Sequence, residues 1–261
     1  MPEQDKVASG SPVVVITGAA SGIGRAVAQR YAKEGFRTVI GTFPGDPHDP
    51  KGTLALIEEA GGEGLIVEVD VRSSRQVDAL AQTALDEFGR IDHVVANAGI
   101  LRRAALAELT DHAWDEMLSV DLTGALRLFR SCAPYLTSGA SMVAVSSIAG
   151  GVYGWGEHAH YAAAKSGLIG LCRSLAVELA PRGIRVNSVI PGIIETPQSS
   201  DPTNSLGPEG LRQAAATVPL GRVGTADEVA DVIWFLNSQD ARYVTGQELV
   251  VDGGLIVGMR E

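Results

Sequence analysis

Cysteine is nearly absent: of 261 residues only Cys132 and Cys172 carry a thiol, and neither has a partner at metal-ligand spacing. That excludes a disulfide framework and a cysteine metal centre, so both are expected as reduced core residues and no metal is expected. Long apolar runs are missing too. None approaches the ~20 residues of a membrane-spanning helix. Positive charge is scarce, with 21 Lys and Arg against 31 Asp and Glu and a net charge of −10. Without a basic cluster to follow a phosphate backbone or an anionic bilayer, neither nucleic acid nor membrane is an expected partner. The opening "MPEQDKVASG" lacks the basic-then-apolar order of a signal peptide, and the expected location is cytoplasmic. There are no internal repeats and no low-complexity tracts.

What the chain does have is a regular alternation. Hydrophobic residues make up 45% of it, enough for one large α/β domain over residues 1–261. Short β-rich runs ("PVVVITG", "RTVIGT", "GLIVEVD", "IDHVVANAG") alternate with helical stretches at about 23–33, 53–60 and 77–88. A long helix is predicted from Asp111 to Leu136, then a strand "SMVAVSS", a helix from Tyr161 to Ala180 and a strand "GIRVNSVIPG". A helix from Asp227 to Asn237 and a strand "QELVVDGG" close the pattern. Such alternation requires crossover connections, which predicts a doubly wound, Rossmann-type parallel sheet of about seven strands with helices on both faces. Residues 193–218, with three prolines and much Ser, Asn and Gly, interrupt the rhythm and are expected to form a mobile segment beside the substrate.

Directly after the first strand, "TGAASGIG" sets Gly18, Gly22 and Gly24 at a strand-to-helix turn. Glycines there permit a tight turn, close approach of a pyrophosphate and close packing of the next helix, whose N-terminus offers free N–H groups to the phosphates. Further along, Tyr161 and Lys165 stand four residues apart and share a helical face. Tyrosine, with a pKa near ~10, is a poor base at neutral pH, and an adjacent ammonium would lower that value.

The glycine spacing TGxxxGIG, "ANAG" at 96–99, Ser147 ahead of Tyr161-x-x-x-Lys165, Pro191-Gly192 followed by Thr196, and "VDGG" at 251–254 occur in one order. Together they resemble the short-chain dehydrogenase/reductase family over residues 13–254. The resemblance implies an NAD(P)-dependent oxidoreductase acting on a ketone or secondary alcohol, similar to 3-oxoacyl-carrier-protein reductases and polyol dehydrogenases. It makes Tyr161 the general acid/base, Lys165 its tuning cation and nicotinamide-ribose ligand, and Ser147 the group that polarises the substrate oxygen. Ser146 is the neighbouring alternative to Ser147. The implied nucleotide site comprises Gly18, Ser21, Gly22, Ile23, Gly24, Thr42, Asp70, Val71, Asn97, Ala98, Gly99, Tyr161, Lys165, Pro191, Gly192, Ile194 and Thr196. A homotetramer is implied as well, and the small residues Ala162, Ala163, Ser166, Gly167 and Gly170 would let two copies of this helix approach closely.

Two departures from the family pattern bear on the chemistry. Where the family has an asparagine linked through water to the active-site lysine, "VDLTG" places Asp121, and the relay is expected to persist in altered form. Ser147 and Tyr161 are separated by one residue more than the pattern, which places the extra residue in the loop "GGVYGWGEH". Thr42 stands where an NAD-selecting acid would be and Phe43 where NADP users carry arginine. The absent carboxylate tips the expectation toward NADP, with Arg37, His48 or Lys51 as phosphate partners. Leu101, Val152, Tyr153, Trp155 and Ile194 are expected as apolar pocket walls, and Arg102, Arg103 and His158 as contacts for a polar substrate group. The alternative reading is a catalytically impaired dinucleotide-binding sensor or scaffold.

Overall fold

Apolar runs too short for helices become strands, and the computed structural model, which describes residues 10–258, arranges them as expected. Along the chain come β1 (Val13–Thr17), α1 (Gly22–Lys33), β2 (Arg37–Thr42), α2 (Lys51–Glu59), β3 (Gly64–Glu68) and α3 (Ser74–Phe88). Next are β4 (His93–Ala96), α4 (Asp111–Asp121), α5 (Thr123–Cys132), β5 (Ser141–Val145), the single turn α6 (Ile148–Gly151) and α7 (Ala159–Leu179). The last part holds β6 (Arg185–Pro191), β7 (Ile194–Glu195), α8 (Gly207–Ala215), β8 (Gly224–Thr225), α9 (Ala226–Asn237) and β9 (Glu248–Val251). Seven strands form one sheet in the order β3-β2-β1-β4-β5-β6-β9, every pair parallel, and β7 and β8 form a separate two-stranded ladder. The ends of the expected domain, 1–9 and 259–261, with most of the stretch read for a signal peptide, lie outside the described residues.

Strand composition follows from double coverage. Val13 and Val15 of β1 pack into the core under α3, α5 and α7, whereas Val14 and Ile16 pack into the core under α1 and α9. Successive side chains point to opposite faces, so a strand buried on both faces reads as an unbroken apolar run. Both cysteines lie in the first of these cores, unpaired, and burial pushes each thiol up to about 12. Local signals bound the helices. Thr225 and Glu228 form a capping box at the start of α9, and Gly89, in the left-handed region, stops α3. Among the described residues, no helix is long and apolar enough to cross a membrane.

Two predicted elements differ. The single helix expected over 111–136 is kinked at Leu122 and ends at Cys132, where Pro134 tightens the chain into a 3-10 turn. Leu122 lies against Gly167 of α7, where a Cβ would come within 2.7 Å of the leucine side chain. The segment 193–218 is structured in part, holding β7 and α8.

A box of aromatic rings closes the N-terminal end of the sheet, away from the cleft. His93 stacks on Phe36 at 4.9 Å, with Tyr31 and Trp234 edge-on around them. Burial pushes the His93 imidazole down to about 4, despite the opposing pull of Asp92. Its proton therefore favours the unfolded chain: stability is complete above the ordinary value of 6.5 and falls as pH drops from there toward 4. Between pH 7 and 4.5 this group removes about 2 kcal/mol. Urea unfolding at the two pH values should show His93→Phe losing less stability than the wild type by that amount; equal losses would place the acid lability elsewhere.

Candidate active site

The cleft originates where strand order reverses between β1 and β4. Asn97 Nδ2 donates to the carbonyls of Thr17 and Gly18 at 3.1 and 2.9 Å, and Thr17 Oγ1 accepts from the N–H groups of Asn97 and Ala98. These bonds hold the glycine turn against the end of β4. Gly18 sits at φ +66, and a Cβ there would come 2.7 Å from the Ala98 α-carbon, so only glycine fits. Ser21 precedes α1 without bonding its first amides, which stay available at the cleft. A cavity of about 910 Å³ runs along the carboxyl ends of the strands. This is where an open α/β sheet binds ligands.

The cavity brings together Gly18, Ser21, Gly22, Ile23, Asp70, Val71, Asn97, Ala98, Gly99, Ser147, Tyr161, Lys165, Pro191, Gly192, Ile194 and Thr196. An open volume beside a Cβ-free turn and unbonded helix amides fits a dinucleotide. Four residues assigned to the nucleotide from the sequence, Gly24, Thr42, Arg37 and Lys51, do not line the cavity. Gly24 is buried against the Gly18 carbonyl, where a Cβ would clash and only glycine lets α1 pack on the turn. Thr42 is 3% exposed and outside the lining, because strand alternation turns it into the packed face and brings Phe43 into the cleft. Arg37 begins β2 at the opposite end of the sheet, bonded to the carbonyls of Ser11 and Phe88. Lys51 also falls outside the lining, whereas His48 lines it and contacts Asp46 at 2.7 Å. Sequence reasoning missed Asp46 and Arg72 at this end; Arg72 chelates Asp70, holding that carboxyl below its usual range, and lies over Phe43.

Ser147 ends β5, and Tyr161 and Lys165 project from α7 into the same wall. Ser146 donates to the Lys165 carbonyl at 2.7 Å, which engages its hydroxyl in holding α7 to β5 and leaves Ser147 as the serine bonded to the Tyr161 phenol. The Lys165 ammonium donates to the Val145 carbonyl at 3.1 Å and meets Asp121 Oδ2 at 3.2 Å. Asp121 Oδ1 accepts the Ile100 N–H at 2.8 Å. Asp121 lies behind Gly99, outside the cavity lining, so it acts on Lys165 and not on a ligand. Burial disfavours the Lys165 ammonium, but Asp121 and then Tyr161 more than offset this and hold it above its usual range. For Tyr161 the balance reverses the expectation: burial raises the phenol above 10, Asp121 raises it further, and Lys165 and Ser147 only partly oppose them.

On the substrate side Leu101, Tyr153, Trp155 and Ile194 line the cavity as expected, joined by Leu206 and Leu255. Val152 is turned to solvent at 55% exposure. In this loop α6 turns at Gly150, whose φ of +91 and close approach to the Ala162 carbonyl leave no room for a side chain. Arg102 lines the cavity, but Arg103 pairs with Glu157 at 3.3 Å, and His158 is fully buried between two carbonyl groups. Neither of the latter two meets a substrate.

Comparison with known proteins agrees with this geometry. A family model described as Enoyl-(Acyl carrier protein) reductase matches residues 18–256. The 3-oxoacyl-[acyl-carrier-protein] reductase FabG of Thermotoga maritima is 40% identical over 252 residues, covering 94% of this chain and 98% of that protein. The Escherichia coli protein of the same name is 37% identical over 245 residues, covering 93% and 96%. Among solved structures, levodione reductase superposes with a TM-score of 0.87 at 32% identity, covering 95% of this chain and 98% of that one. A short-chain dehydrogenase/reductase, glucose/ribitol dehydrogenase, from Brucella melitensis superposes with a TM-score of 0.85 at 34% identity, covering 94% and 96%. With the glycine turn, the serine and the tyrosine–lysine pair all on one cavity, the chain belongs to the short-chain dehydrogenase/reductase family.

Proposed function

We propose that this NAD(P)-dependent oxidoreductase interconverts a ketone and a secondary alcohol with Tyr161 as general acid/base. The observation that carries the reading is the convergence of Ser147, Tyr161 and Lys165 on one wall of the cavity. Gly18, Ser21, Gly22 and Ile23 would hold the pyrophosphate, Asp70 and Val71 the adenine, and Asn97 to Gly99, Pro191, Gly192, Ile194 and Thr196 the nicotinamide half. The nicotinamide, when bound, gives or takes a hydride. Ser147 donates to the substrate oxygen and Tyr161 passes it a proton, while the Lys165 ammonium stabilises negative charge on the phenol oxygen. Asp121 keeps that ammonium in place. Burial and Asp121 raise the phenol above its ordinary value, so Tyr161 meets a carbonyl oxygen as a proton donor.

For the nucleotide we assign a preference for NADP, supported by the absence of a carboxylate at positions 42 and 43. The apolar wall of Leu101, Trp155, Leu206 and Leu255 suits an acyl chain better than a polyol. A 3-oxoacyl thioester, the substrate class in the names of the curated relatives, is the substrate we assign. We also assign a cytoplasmic homotetramer. Ser166 and Gly167 of the small-residue run are engaged within the chain, but Ala163, Gly170 and the exposed Val177 recur at a spacing of seven on α7 and leave one face for a second copy.

Titration with NADPH and NADH by nicotinamide fluorescence should show tighter binding of NADPH, a preference retained in Tyr161→Phe. Reduction of a 3-oxoacyl thioester should fall at least ~100-fold in that variant. Turnover retained by Tyr161→Phe would refute its role. Sedimentation at micromolar protein should show a tetramer, and monomer alone would remove the assembly.

A further inference from the structure

We infer that His158 is a positioning residue that latches the 199–206 segment to the helix carrying Tyr161; the inference rests on the carbonyl-reductase reading of the cavity. His158 immediately precedes α7, its carbonyl accepts the Ala162 N–H at 2.9 Å, and Tyr161 follows three residues later. Its ring is fully buried. Nδ1 lies 2.7 Å from the Gly156 carbonyl and Nε2 3.2 Å from the Asn204 carbonyl. Both partners are acceptors, so a neutral ring donates to only one of them, and the latch is the form with the proton on Nε2, toward Asn204.

On its flat face the ring stacks on Trp155, with centroids 3.9 Å apart and planes 18° from parallel. Trp155 lines the substrate end of the cavity, as do Ser205 and Leu206 from the latched segment. One buried ring therefore touches both facing walls and the start of the catalytic helix. A second tie runs alongside it. The Arg103 side chain pairs with Glu157 and donates to the Ser205 carbonyl at 3.4 Å, and its backbone N–H donates to Asn204 Oδ1. Glu157 lies in the left-handed region at φ +62, a conformation unfavourable to a non-glycine residue. It is held there by the bond from the Ala104 N–H to its carbonyl and by the Arg103 pair. A backbone fixed in this way sets the ring of His158 and, through it, the distance between the walls and Tyr161.

The two nitrogens can be tested separately. His158→Asn places an amide nitrogen near the Nδ1 position and cannot reach Asn204, whereas His158→Gln places one near Nε2 and can. Amide hydrogen exchange over 199–206 should accelerate about tenfold in His158→Asn and stay within about twofold of wild type in His158→Gln, the change expected for one lost hydrogen bond. The KM for a 3-oxoacyl thioester should rise by a similar factor in the asparagine variant alone, with NADPH affinity unchanged in both. If His158→Asn does not fold, the glutamine variant decides: wild-type exchange over 199–206 supports the latch and accelerated exchange overturns it. Equal behaviour of two folded variants, or unchanged exchange in His158→Asn, also overturns it. Exchange is read without turnover, so a wild type that reduces no carbonyl refutes the functional reading and leaves the latch to the exchange result.

Discussion

An ammonium only 6% exposed stays charged in a protein interior only if an acceptor reaches it, and Asp121, itself fully buried, does so at 3.2 Å. The site depends on that pair. Removing either charge would leave the other buried and unpaired, which is far more destabilising than losing a surface pair. The second carboxylate oxygen ties the pair to the Ile100 N–H, so the loop after β4 and the helix α7 are fixed to one another through Asp121. Gly99 passes between them because a side chain there would strike both charged groups, 2.9 Å from the carboxylate and 3.2 Å from the ammonium.

The pair also sets the state of Tyr161. A lysine alone beside a phenol would favour phenolate, but a lysine already neutralised by a carboxylate does so weakly, and burial then decides. The resting protein thus holds a phenol ready to donate. Ser147 and the Val145 carbonyl keep phenol and ammonium in register with the end of β5, and the parallel sheet brings that end to the same edge as the glycine turn. Geometry fixed by hydrogen bonds between strand ends needs little reorganisation during reaction.

Much of this was legible in the sequence where a residue type allows one solution. Val13 to Ile16 could only be a doubly covered strand, and Gly18 only a glycine turn. The wall of Ser147, Tyr161 and Lys165 followed from spacing and family likeness. What sequence could not supply was direction and partner. Thr42 and Phe43 differ only in strand parity, and Arg37 only in which end of β2 it occupies, which placed two expected nucleotide contacts wrongly. His158 reads as an accessible polar side chain until the 199–206 segment is seen to cover it. The break at Leu122 has no proline to announce it, and Leu122 there packs against Gly167 of α7.

The most direct test of the account is the pH dependence of alcohol oxidation, which requires the phenolate, measured in wild type and Asp121→Asn. Asparagine keeps an amide oxygen for the Lys165 ammonium, which also donates to the Val145 carbonyl, and removes the negative charge that opposes it at Tyr161, so the alkaline rise in kcat/KM should move to lower pH. A rise at the same pH in both proteins would contradict the claim that Asp121 governs the proton on Tyr161.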